Sequence, residues 1–76
     1  MSNVNGNAFA GTCQKAVVAV LNAIATGGED RREHFAEARL AVDKALKDAH
    51  SGEEWYFAES LRRGIQEVQA SSLDAA

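Results

Sequence analysis

The sequence predicts an all-α fold, a small three-helix bundle in up-down-up order, with dimerisation as a possible completion of its core. Three observations lead there. Apolar residues recur at three- and four-residue steps over three segments of helix length. Glycines fall where those segments must stop, at Gly6, at the pair Gly27 and Gly28, and at Gly52. Strand signals are missing: the one β-branched cluster, Val17, Val18 and Val20, sits among alanines with helical spacing, and proline is absent.

The first helix is expected from about Ala8 to Thr26. Phe9, Cys13, Val17, Val20, Leu21 and Ile24 form its apolar stripe, with Gln14, Lys15, Asn22 and Val18 on the wet side. Asn5 or Asn7 is placed to cap its start, and Gly27 to take the left-handed conformation that ends it. The second helix is expected from about Arg31 to Ala49, with Asp30 as N-cap and Glu33 three residues on. Its stripe is Phe35, Ala38, Val42, Ala45, Leu46 and Ala49, whose small alanines allow a neighbouring helix to come close; Leu40 projects to the opposite side.

The third helix, expected from Glu53 to about Ala70, has the clearest start signal. In Ser51-Gly52-Glu53-Glu54 the serine oxygen is placed to accept from the Glu54 amide while Glu54 reaches back. Phe57, Ala58, Leu61, Ile65 and Val68 make the buried stripe, Trp55 lies at its border, and Tyr56 points away from it. Short links, roughly Thr26 to Asp30 and His50 to Gly52, make consecutive helices antiparallel neighbours. A hairpin of the second and third helices with the first exchanged between protomers fits the same pattern. The domain is therefore expected over residues 8–70, between flexible tails at 1–7 and 71–76.

A chain of 76 residues is one domain at most. Its 46% hydrophobic content overstates the core, because fifteen of those residues are alanines. Burying a larger aliphatic or aromatic side chain is worth roughly 1.5–3 kcal/mol while ordering each residue costs about 1.5, so a core this small comes out near balance. A homodimer is one remedy. Cys13 is the only cysteine, which excludes an internal disulfide and fits a reducing compartment. Residues Met1 to Asn7 carry no basic region, and no apolar run is expected to reach the ~18 residues that span a membrane. A cytoplasmic location is the expectation. The net charge of −3 argues against a nonspecific nucleic-acid binder.

Chemistry is thinly represented. Cys13, His34 and His50 lie on different segments without partners at i+3 or i+4, so no metal ligand set is expected, and Cys13 has the spacing of a buried, inert thiol. The carboxylates read as solvated helix faces, with Glu59 and Arg63, and Asp43 and Lys47, at favourable i, i+4 spacing. No nucleophilic triad, phosphate loop or metalloprotease string occurs, so no catalytic residue or cofactor is expected. Arg31 and Arg32 stand at a helix N-terminus, where positive charge opposes the macrodipole by about 0.3–1 kcal/mol; something must offset it, either Glu29 and Asp30 beside them or an acidic partner.

The residues left over point to contact with another protein. Trp55 and Tyr56, with Leu40, Glu59 and Arg63, and the Arg31–Arg32 pair, are the expected partner-binding residues, since aromatics and arginine with a polar rim are what interface centres prefer. The expected function is a small acidic helical adaptor or inhibitor that occludes a larger protein. In size and make-up the chain is similar to the small inhibitors that phages encode against host systems, although no motif carries that likeness. The alternative is a small helix-turn-helix transcription regulator, whose recognition helix would be the third. The C-terminal Leu73-Asp74-Ala75-Ala76 is similar to the small-residue ends that bacterial unfolding proteases read, but a frayed tail is the preferred account.

Overall fold

The computed structural model describes residues 4–75, with side chains described from Ala8 to Ser71. Three helices follow one another, α1 (Val4–Ala25), α2 (Gly28–Asp48) and α3 (Gly52–Ala75). Two-residue and three-residue links reverse the chain each time, which gives the up-down-up order. The helices reach beyond residues 8–70 at both ends. Residues 1–3 and 76, the outermost parts of the two tails expected from sequence, lie outside the described residues.

The turn between α1 and α2 differs in detail from the sequence expectation. Gly27 is extended (φ −120°, ψ 179°), and Gly28, at φ +69°, takes the left-handed conformation. A side chain at Gly28 would be strained in that region whatever space surrounds it. Because the reversal is made there, α2 starts two residues before Asp30. Asp30 is consequently a first-turn residue with Glu29, and no side chain caps the helix. Both carboxylates still complement the positive end of the macrodipole. Asn5 and Asn7 fall within α1, which starts before Ala8.

The α2–α3 turn follows its expectation closely. The Glu54 amide donates to Ser51 Oγ at 3.1 Å, and Glu54 Oε1 accepts from the backbone amide of His50 at 2.8 Å, one residue further back than in the usual reciprocal box. Ser51 also accepts at its carbonyl from the Trp55 amide at 3.0 Å, so the first turn of α3 is closed.

The helix α2 occupies the middle. It packs along α1 and against α3, while α1 and α3 barely touch each other. Four residues of its expected stripe, Phe35, Ala38, Val42 and Ala45, have no exposed surface, while Leu46 and Ala49 are half-buried. Against Phe35, Ala38 and Val42 α1 turns Ala16, Ala19 and Ala23, a seam of methyl groups, with Ile65 of α3 completing this cluster. A second cluster joins Phe9, Cys13, Ala45 and Ala58, with Leu61 packed against both clusters. Within the single chain, α1 packs on α2 along this seam.

This seam corrects the expected stripe of α1. Val17, Leu21 and Ile24 are exposed, and the alanines beside them are buried instead. Two helices gain most contact where small residues let their backbones approach, so the face that meets α2 is the alanine face. Phe57 of α3, also expected inside, is 55% exposed. The Cα trace is accordingly slab-like, 44 × 21 × 14 Å.

Candidate functional site

Among the described residues eight large apolar side chains are exposed, and they divide among different surfaces. The first lies along the cleft between α1 and α3. Val17, Val20 and Leu21 form one wall and Leu61, Gly64, Ile65 and Val68 the other, around a groove of about 200 Å³. Ile24 extends the α1 wall, being three residues after Leu21 on the same helical face. Phe57 extends the α3 wall, and its ring meets that of Phe9 edge to face at a centroid distance of 6.4 Å. None of these residues is charged. The sequence pattern identified all but Gly64 as apolar stripe residues and placed them in the core; what it did not carry was that the stripe is wider than the area α2 covers.

The second surface is the side of α3 away from that cleft. Trp55 is 50% and Tyr56 70% exposed, and they stand about 100° apart on the helix, so they flank a broad outer face rather than a single line. Glu59 lies between them in angle and holds Arg62 in a two-pronged pair, Arg62 Nε to Glu59 Oε1 at 3.1 Å and Arg62 Nη2 to Glu59 Oε2 at 2.6 Å. Arg63 Nε stands 3.9 Å from the same carboxylate. The i, i+3 partner is thus the closer one, and the expected Glu59–Arg63 pair is its looser neighbour. The hydrogen bond from Arg62 holds the Glu59 carboxyl below its ordinary range, against an opposing effect of partial desolvation and with help from both arginine charges. Among the described residues Asp43 and Lys47 form no ion pair; Lys44 bonds Asp48 at 3.2 Å instead.

The remaining expected contact residues are dispersed. Leu40 is 70% exposed on the side of α2 away from the core, and no described bond or groove joins it to Trp55 and Tyr56. Arg31 has a role inside the chain. Its Nε donates a forked hydrogen bond to the carbonyls of Ala23 and Thr26, 3.1 Å each, at the end of α1. The charge that opposes the α2 macrodipole therefore complements that of α1, whose last turn holds no basic residue of its own. Arg32, next to it, is exposed and bonded to nothing described.

Cys13 is buried, as its spacing implies. Burial pushes its thiol up from the ordinary value, and the Glu54 carboxylate adds to the shift, so the reactive thiolate is scarce at neutral pH. Labelling of the folded protein by a thiol reagent is expected to run about a hundredfold slower than in denaturant; equal rates would place Cys13 outside the core. His34 Nδ1 is buried without a hydrogen bond, since the Glu37 carboxylate at 3.6 Å is beyond bonding distance. Among the described residues no three His, Cys, Asp or Glu side chains gather as a metal site would require.

Two further features belong to α1. A wide, open concavity of about 630 Å³ lies on its other side, between Lys15, Val18 and Asn22 and the Glu37 and Ala41 positions of α2. The window Ala8–Ala25, with mean hydropathy 1.4, is long and apolar enough by length and composition to cross a membrane, which corrects the expectation that no run reaches that length. One third of that window is buried in the protein. No protein-family model matches this chain, and neither the curated proteins nor the solved structures searched contain a match to it.

Proposed function

We propose that the protein is an interaction module, an adaptor or inhibitor that covers a surface of a larger protein through the outer side of α3. The observation that carries this reading is the exposure of Trp55 and Tyr56 beside the Glu59–Arg62–Arg63 network. Aromatic rings supply large contact area at little entropic cost, and a rim of paired charges excludes water around them; interface centres are enriched in these residue types. The capping box at Ser51 fixes the first turn from which both rings project, so the surface is held in place before a partner arrives.

Affinity capture from a bacterial lysate, run side by side with the wild-type chain and a Trp55→Ala, Tyr56→Ala variant, tests the proposal. A protein retained by the wild type should bind the variant about thirtyfold more weakly, the loss expected for one strong contact residue. The helical signal and melting temperature should change little, because both rings are largely outside the core. Retention unaffected by the double substitution would remove the aromatic surface as the contact site. The transcription-regulator alternative gains no supporting observation, since Arg31 is bonded to α1 and Arg62 to Glu59.

A further inference from the structure

We draw no further inference here: the strongest candidate, the apolar cleft between α1 and α3 walled by Val17, Leu21, Leu61 and Val68, is an unpartnered face, and nothing in the structure shows what covers it.

Discussion

Phe35→Ala is expected to lower the melting temperature by roughly 15 °C or more, the largest change from any single substitution considered. Phe35 is fully buried and, with Val42, one of the two largest side chains that are. The residues around it are mainly alanines, Ala16, Ala19, Ala23 and Ala38, with Val42 and Ile65. A cavity beside flexible leucines or methionines can partly collapse, but methyl groups fixed to helix backbones have no rotamers with which to fill one. The cost therefore belongs at the high end for such a truncation, about 3–5 kcal/mol. A domain of this length typically holds about 4–11 kcal/mol in all. Thermal and urea melts followed by helical circular dichroism measure the loss, and Leu40→Ala, an exposed site on the same helix, should stay within about 0.5 kcal/mol of the wild type. A small shift for Phe35→Ala would mean that the central helix is not packed as described.

Arg31→Ala should destabilise the fold by about 1.5–3 kcal/mol, the range for hydrogen bonds made by a charged group. Its neighbour separates geometry from charge: Arg32→Ala removes the same formal charge one residue away and should change stability by no more than about 0.5 kcal/mol. The difference arises because Arg31 Nε reaches two carbonyls at the end of α1, while Arg32 points into solvent. Arg31→Lys keeps a cation near the same helix end without the fixed guanidinium geometry, and should recover part of the loss. Urea titration of the three variants provides the comparison. Equal effects of the two alanine substitutions would assign the stabilisation to general electrostatics rather than to this bond.

The sequence pattern was most informative where a single residue type had one physical option. Ser51 and Glu54 could close a helix start in only a few ways, and they do so within one residue of the expected geometry. The α2 stripe is legible because, Ala36 and Leu40 apart, the positions around it are mostly charged, leaving one face to bury. On α1 the apolar residues outnumber what one neighbour can cover, and size pointed the wrong way: Val17, Leu21 and Ile24 looked like core, but close backbone approach selected Ala16, Ala19 and Ala23. Spacing within one helix carries no information about how near the next helix will come. The same limit applies to Phe57, expected inside by its spacing and exposed in the fold. Tyr56 and Leu40 are recognisable as outward-facing from rotation alone, whereas Trp55 reads only as a border residue and is half exposed. That Arg31 would turn back to α1 is not recognisable, since its partners are backbone carbonyls, which leave no trace in residue identity.

The methyl seam between α1 and α2 has a thermodynamic consequence. Alanine has no rotamer freedom to lose, so α1 contributes its side of the seam at no torsional cost, which falls instead on Phe35 and Val42 of α2. The hairpin can form with a low entropic penalty, and its two-residue link keeps the cost of closing the chain small as well. What it forgoes is adhesive area: the long side chains that would hold two helices firmly together point elsewhere. The first two helices are thus easy to bring together, and the larger groups that hold them, Phe35 and Val42, come from α2, with Ile65 of α3 completing the cluster.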